Sequence, residues 1–126
     1  MEMIKVMIVD DEVDFAEALV ERLQLRDFEV RHASSAEAAM SNLRNGWTPN
    51  VILLDLKMPG LNGLETLLLI KKHSPGIEVI LVTGDGSTSA GMEGMHMGLF
   101  DYLMKPIDIG VIVERINKAA AKNKNG

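Results

Sequence analysis

The sequence predicts an α/β fold, a doubly wound sheet of five mainly parallel strands with helices on both faces. Short runs of branched aliphatic residues, such as Val51–Leu54 and Val79–Val82, lack polar residues at alternate positions, which is typical of strands buried on both faces. These runs alternate along the chain with segments of helical periodicity, and that alternation favours a parallel sheet. Several runs end in a polar residue, which predicts a functional edge of the sheet.

Two strand–helix pairs are predicted in the first half of the chain. Met3–Val9 is an apolar run typical of a strand. A helix from Val13 to about Leu25 follows, because apolar residues recur there at helical spacing. Phe28–His32 is a short strand, and Ser34 with Glu37 forms the pattern of a capping box that opens the second helix.

The second half continues the alternation beyond the Val51–Leu54 strand. Asn62 is predicted to cap a third helix, which ends before Ser74–Gly76. The Val79–Val82 strand leads into a glycine- and methionine-rich helix, roughly residues 88–97. Tyr102–Met104 is the fifth strand, and Asp108 is predicted to cap the last helix.

Composition and charge limit the class of function. The 126 residues carry a net charge of −5 and no cysteine, so a nucleic-acid surface, a disulfide and a cysteine metal site are not expected. Apolar runs are short and the chain begins without a signal-peptide pattern, so we expect a cytoplasmic protein with no membrane partner. We expect one domain at residues 1–121, with residues 122–126 as a polar tail or the start of a linker.

Polar side chains follow four of the five predicted strands. They are Asp10 and Asp11 after the first strand, Asp55 after the third, Thr83 at the end of the fourth and Lys105 after the fifth. With the flavodoxin-like order 2-1-3-4-5, the first and third strands flank the switch point, where ligands bind in such sheets. Two carboxylates about 4 Å apart repel by roughly 4 kcal/mol at an effective dielectric near 20, so this cluster needs a cation or a proton. Oxygen ligands without His or Cys favour Mg²⁺.

These residue types suit phosphoryl transfer. A carboxylate beside Mg²⁺ acts as a nucleophile toward phosphorus and forms an aspartyl-phosphate. The three equatorial oxygens of the phosphoryl group then need neutralisation. Mg²⁺ would take one oxygen, the Lys105 ammonium a second and the Thr83 hydroxyl a third.

Motifs along the chain resemble those of bacterial response-regulator receiver domains. The motifs are V-D-D-E at residues 9–12, L-L-D-L-K-M-P-G at 53–60, N-G-L-E at 62–65, V-T-G at 82–84 and D-Y-L-M-K-P at 101–106. They have the order and spacing of the family over essentially the whole chain. Within the family the chain resembles chemotaxis regulators, and G-L-F-D-Y-L-M-K-P at 98–106 resembles the receivers of enhancer-binding transcriptional activators.

The resemblance implies a phosphorylation switch of a two-component system. It implies that Asp55 accepts a phosphoryl group from a histidine kinase or a phosphotransfer protein, with Thr83 and Lys105 as catalytic partners and Mg²⁺ as cofactor. The implied Mg²⁺ ligands are Asp10, Asp11, Asp55 and the backbone carbonyl of Lys57.

The resemblance also implies how the phosphate is sensed. Thr83 would move toward the phosphoryl group and Tyr102 would turn inward behind it, changing the surface of the fourth helix, fifth strand and fifth helix. That surface would control an output domain or partner protein, or form a homodimer. The remaining implied features are a cis peptide before Pro106 and the positions that tune phosphate lifetime, which are Lys57, Gly84 and Asp85. Such a switch is not a turnover enzyme, apart from slow self-dephosphorylation.

Two alternative functions remain open at this point. A Mg²⁺-dependent phosphohydrolase would use Asp55 as nucleophile, but such enzymes need a general acid two residues later, where Lys57 stands. A receiver-like interaction module that is never phosphorylated is the other alternative, and the presence of Asp55, Thr83 and Lys105 disfavours it.

Several residues outside the motifs carry their own expectations. Leu99 stands where the family usually has a small Ala, and Asp27 replaces a frequent Gly, so we expect Asp27 in a left-handed conformation. Gly91 and Gly94 either weaken the fourth helix or permit close packing against a neighbour.

Three side chains are given no role in phosphoryl transfer. Glu12 is expected to be a solvated acid that favours the dipole at a helix start. His32 is expected to be a surface residue, and Trp47 to serve local packing at the edge opposite Asp55.

Overall fold

The computed structural model describes residues 2–58, 62–84 and 88–125. The strands in this part of the chain are Lys5–Val9 (β1), Glu29–Ala33 (β2), Val51–Leu54 (β3), Glu78–Thr83 (β4) and Asp101–Met104 (β5). The helices are Val13–Gln24 (α1), Ala36–Arg44 (α2), Gly63–His73 (α3), Thr88–His96 (α4) and Ile109–Asn125 (α5). All neighbouring strands pair in parallel in the order β2-β1-β3-β4-β5. The predicted fold class and strand order are confirmed.

Helices cover the sheet on both faces, which explains the unbroken apolar runs. Met7 of β1 and Ile52 of β3 point into a core that contains residues of α2 and α3. Ile8 and Leu53, one residue further along each strand, point into a second core with residues of α1 and α5. Burying a side chain of this size contributes about 1.5–3 kcal/mol, so every position of the central strands favours an apolar residue.

One predicted helix cap is confirmed and another is wrong by one residue. Asn62 caps α3, and its side chain accepts the Glu65 N–H at 2.9 Å. The prediction that Ser34 caps α2 is wrong by one residue, because Ser35 is the cap and its hydroxyl accepts the Ala38 N–H at 3.0 Å. Counting three positions from Ser35 leads to Ala38, which has no side-chain acceptor to complete a capping box.

The element bounds differ from the prediction by a few residues, most of all at the end of α5. This helix continues to Asn125, past the expected tail boundary, because its last turns are tied to the sheet. The Asn123 amide oxygen accepts from Asn50 at 2.9 Å, and its nitrogen donates to the Gly76 carbonyl. Lys122 lies 3.6 Å from the buried carboxylate of Glu78. No helix of the described chain has the length and apolarity needed to cross a bilayer.

Close packing accounts for two glycines of α4. A Cβ on Gly91 would lie 2.9–3.2 Å from three ring carbons of Tyr102, and one on Gly94 would lie 2.9 Å from a methyl carbon of Leu99. Leu99 is buried, and the end of its side chain occupies the space beside Gly94. Of the two expectations for these glycines, the contacts support close packing. Asp27 has a φ of 66°, the left-handed conformation expected of it.

Candidate functional site

The carboxyl ends of four strands hold the predicted site residues. Backbone pairing continues one residue beyond the strands: the Asp55 N–H donates to Val9 O at 2.9 Å, and the Lys105 N–H donates to Thr83 O at 2.8 Å. The Asp10 N–H likewise donates to the carbonyl of β2 residue Ala33 at 3.1 Å. These bonds fix the backbone of each site residue against its neighbouring strand.

Three carboxylates meet at the switch point between β1 and β3. Asp10, Asp11 and Asp55 each offer an oxygen within 4.8 Å of the others. Asp10 and Asp55 are buried, at 2% and 5% exposure, whereas Asp11 is exposed. Burial, and next the charge of Asp10, raise the pKa of Asp55 above its ordinary value, and attraction to Lys105 opposes them only in part. Asp55 is therefore a carboxylate whose charge is incompletely compensated.

Lys105 is the cation at the centre of the site. Its Nζ lies 2.8 Å from both Asp10 Oδ2 and Glu12 Oε1, and 3.9 Å from Asp55 Oδ2. It also lies 4.2 Å from the centroid of the Phe15 ring, a favourable cation–π distance. Burial lowers the pKa of Lys105, but hydrogen bonds to Asp10 and Glu12 outweigh it, so the pKa is raised and the ammonium stays charged.

The donor set of this cluster fits a small hard cation. All three candidate ligands are carboxylates, and in the described part of the chain no His side chain belongs to this group of ligands. One ammonium cannot neutralise three carboxylates, two of which are buried; burial, and next the charge of Asp10, raise the pKa of Asp55. Mg²⁺ prefers such oxygen ligands and needs only one or two carboxylates. The backbone nitrogen of Lys57, whose carbonyl is the implied fourth ligand, lies 3.4 Å from Asp55 Oδ1, which is a long hydrogen bond.

Thr83 and Tyr102 lie on neighbouring strands behind Asp55. Thr83 is buried, and a hydrogen bond from its side chain to Asp55 offsets a small part of the rise in the pKa of that carboxyl, of which burial is the largest cause. Tyr102 is half-buried, pairs with Leu81 in the sheet and packs its ring against Gly91 of α4.

Of the tuning positions, Lys57 and Gly84 are exposed. Asp85 lies outside the described residues. The Lys105–Pro106 peptide is cis, the isomer that the motif implies.

Two contacts of the site were missed by sequence reasoning. Glu12 is exposed at the start of α1, as expected, but its carboxylate also pairs with Lys105 at 2.8 Å. His32 is half-buried, and its Nε2 lies 2.8 Å from the carbonyl oxygen of Asp10. The signal for His32 was available, because the order 2-1-3-4-5 puts the end of β2 beside β1. Nothing in the sequence shows which way the Glu12 side chain turns.

Comparison with protein families gives one match over most of the chain. The profile of the "Response regulator receiver domain" family matches residues 6–117.

Curated relatives include the transcriptional regulatory protein FixJ of Rhizobium meliloti, 35% identical over 118 residues, with 91% of this chain and 56% of the relative covered. The CpxR homolog of Haemophilus influenzae is 34% identical over 114 residues, covering 90% of this chain and 49% of that protein. The C4-dicarboxylate transport regulator DctD of Rhizobium meliloti is 29% identical over 119 residues, covering 94% of this chain and 26% of DctD. The chain thus spans from about a quarter to about half of these longer regulators.

Solved structures show the same architecture. A response regulator receiver domain from Clostridium thermocellum superposes with a TM-score of 0.90 at 32% identity, covering 97% of this chain and 98% of that one. The FixJ-N structure gives a TM-score of 0.86 at 32% identity, with 96% of each chain covered. Both similarities cover this chain almost from end to end.

Proposed function

This chain belongs to the response regulator receiver domain family, and we propose that Asp55 is its phosphoacceptor. The observation that carries the proposal is the position of Asp55: buried at the switch point, beside two further aspartates and 3.9 Å from the Lys105 ammonium. The phosphoryl donor is a histidine kinase or a phosphotransfer protein. The switch acts in the cytoplasm and turns over no substrate beyond slow loss of its own phosphate.

The chemistry follows from the groups around Asp55. A carboxylate oxygen of Asp55 attacks phosphorus, and the bond from phosphorus to the donor nitrogen breaks as the new oxygen–phosphorus bond forms. Lys105 and the Thr83 hydroxyl stabilise charge on the phosphoryl oxygens. Asp10, Asp11, Asp55 and the Lys57 carbonyl would hold Mg²⁺, which when bound neutralises further negative charge. Lys57, Gly84 and Asp85 occupy the positions that, by the family resemblance, tune the lifetime of the phosphate.

The signal leaves the site through Thr83 and Tyr102. Thr83 turns toward the phosphoryl group, and Tyr102 of β5, whose ring packs against Gly91 of α4, follows it inward. The face of α4, β5 and α5 changes as a result. Three exposed methionines support a binding role for this face: Met92, Met95 and Met104 at 65%, 52% and 50% exposure, since exposed Met is common on adaptable interfaces.

The output of the switch is a further domain, a partner protein or a second copy of this chain. The relatives that extend beyond the matched region are transcriptional regulators by name, which supports a role in transcription for the whole protein. The switch is the unit of residues 1–121, and residues 122–126, of which 122–125 continue helix α5, are a polar tail or the start of a linker. With a net charge of −5, this domain does not bind nucleic acid directly.

Intact mass spectrometry tests the assignment of Asp55. Incubation with acetyl phosphate and Mg²⁺ should add the mass of one phosphoryl group to the wild type. Asp55→Asn should add none, whereas Asp14→Asn, which removes an exposed acid from the first turn of α1, should react as the wild type does. An Asp55→Asn protein that gains the phosphoryl mass would refute the assignment.

A further inference from the structure

The side chain of Glu12 makes a contact that its position in the chain does not require. Glu12 is the N-cap residue of α1, yet its side chain makes no capping hydrogen bond. Its carboxylate instead accepts a hydrogen bond from Lys105 Nζ at 2.8 Å. Glu is not among the preferred capping residues, and the Glu12 N–H is already bonded to Asp10 Oδ1 at 2.8 Å. The contact with Lys105 is therefore the interaction that the Glu12 side chain makes at this site.

Lys105 donates hydrogen bonds to Asp10 and Glu12 but not to Asp55. An ammonium has three donors, and two of them point to oxygens at 2.8 Å, while Asp55 Oδ2 lies at 3.9 Å, outside hydrogen-bonding range. The group of Lys105, Asp10 and Glu12 carries a net charge of −1. An incoming dianionic phosphoryl group meets a lysine that two carboxylates already neutralise.

We propose that Glu12 is a resting-state counterion of Lys105 that competes with the phosphoryl group and so sets how tightly the Asp55 site holds phosphate. Glu12 is a positioning residue in this account, because it acts through Lys105. The Asp10 side chain is only 3% exposed, whereas the Glu12 side chain is 63% exposed. Glu12, Lys105 and Pro106 line a cavity of about 570 Å³, so the Glu12 carboxylate has room to swing away. This inference rests on the proposed phosphorylation of Asp55.

The exposure of Glu12 limits the size of the effect. Exposed ion pairs are weak, so neutralising Glu12 should change the affinity for a phosphate mimic about twofold to fivefold. The direction distinguishes a counterion from a supporting contact. Loss of a supporting contact for Lys105 would weaken the mimic, whereas loss of a competitor strengthens it.

Beryllofluoride binding in the presence of Mg²⁺ tests the inference. Bound beryllofluoride is followed by fluorine NMR in the wild type, in Glu12→Gln and in Glu17→Gln. Glu17 is an exposed residue of α1 that is not among the ion-pair partners of Lys105 in the described chain, so its replacement controls for the change of net charge. Glu12→Gln should lower the half-saturating concentration twofold to fivefold, and Glu17→Gln should leave it unchanged.

A second titration, with Mg²⁺ alone, separates competition for Lys105 from a general field effect. If Glu12 acts through Lys105, Mg²⁺ should half-saturate Glu12→Gln and wild type within twofold of each other. Weaker Mg²⁺ binding together with tighter beryllofluoride binding would show that Glu12 acts by its field, and would overturn the inference. Equal effects of the two substitutions, or weaker mimic binding in Glu12→Gln, would also overturn it. A wild type that binds no beryllofluoride would instead refute the proposed function, and this inference with it.

Discussion

Replacing Gly91 with Ala should improve helix propensity but crowd the ring of Tyr102. In a helix interior, Ala is favoured over Gly by about 1 kcal/mol. The added Cβ would lie 2.9, 3.0 and 3.2 Å from three carbons of the Tyr102 ring, closer than the 3.4 Å at which ordinary contact begins. Overpacking of this kind costs about 1–3 kcal/mol. The cost of overpacking is larger than the gain in helix propensity, so Gly91→Ala should lower the free energy of unfolding by about 1 kcal/mol.

Gly94→Ala is the matched control on the same helix. Its Cβ would meet a single methyl carbon of Leu99 at 2.9 Å, and the next atoms lie at 3.5 and 3.6 Å. The end of one flexible side chain can turn aside, so most of the propensity gain remains. Gly94→Ala should raise the free energy of unfolding by about 0.5 kcal/mol.

Urea unfolding and tyrosine NMR measure the two effects separately. Trp47 is the only tryptophan and Tyr102 the only tyrosine, so fluorescence reports unfolding and a labelled tyrosine reports the ring. Gly91→Ala should shift the ring resonances of Tyr102, and Gly94→Ala should leave them in place. If Gly91→Ala stabilises the protein as much as Gly94→Ala does, with unchanged ring resonances, the packing account of Gly91 is wrong.

Three further substitutions probe the site itself. Burial, and next the charge of Asp10, raise the pKa of Asp55 in the folded protein above 3.8. The ionised Asp55 carboxylate therefore destabilises the fold as the pH rises from 3.8 through the folded pKa. Asp55→Asn should unfold at a higher urea concentration than wild type at pH 7, and this difference should vanish below pH 3.8. Asp11→Asn removes an exposed member of the acidic cluster, so without Mg²⁺ this variant should be more stable than wild type by about 1 kcal/mol. Its urea midpoint should rise less than that of wild type when Mg²⁺ is added. Identical midpoints for the two proteins, with and without Mg²⁺, would refute repulsion among the carboxylates. His32→Ala removes the ring N–H that donates to the Asp10 carbonyl and should lower the free energy of unfolding at pH 7 by about 1 kcal/mol; an unchanged urea midpoint would show that this hydrogen bond contributes nothing.

Features set by local pattern were predictable from the sequence. The apolar runs around Ile8 and Leu53 predict strands with helices on both faces, and the acid that follows each run predicts the edge of the sheet where the functional residues lie. Because parallel strands end at one edge, side chains far apart in the chain, such as Asp10 and Lys105, could be placed together without coordinates.

Features set by side-chain direction were not predictable. Neighbouring serines offer the same capping chemistry, so pattern alone could not choose Ser35 over Ser34. The turn of Glu12 toward Lys105 depends on two rotamers and a distance across the sheet edge. The pairing of a small residue, Gly94, with a large one, Leu99, depends on how α4 lies on the sheet.

Chemical mapping of the phosphorylated residue tests whether Asp55 is the phosphoacceptor. Borohydride reduces an aspartyl-phosphate to homoserine, and tandem mass spectrometry then locates the changed position in the chain. After reaction with acetyl phosphate and Mg²⁺, we predict homoserine at position 55 alone, while Asp10 and Asp11 remain aspartate. Homoserine at position 10 or 11, or a phosphorylated protein without homoserine at position 55, would contradict the claim that Asp55 is the phosphoacceptor.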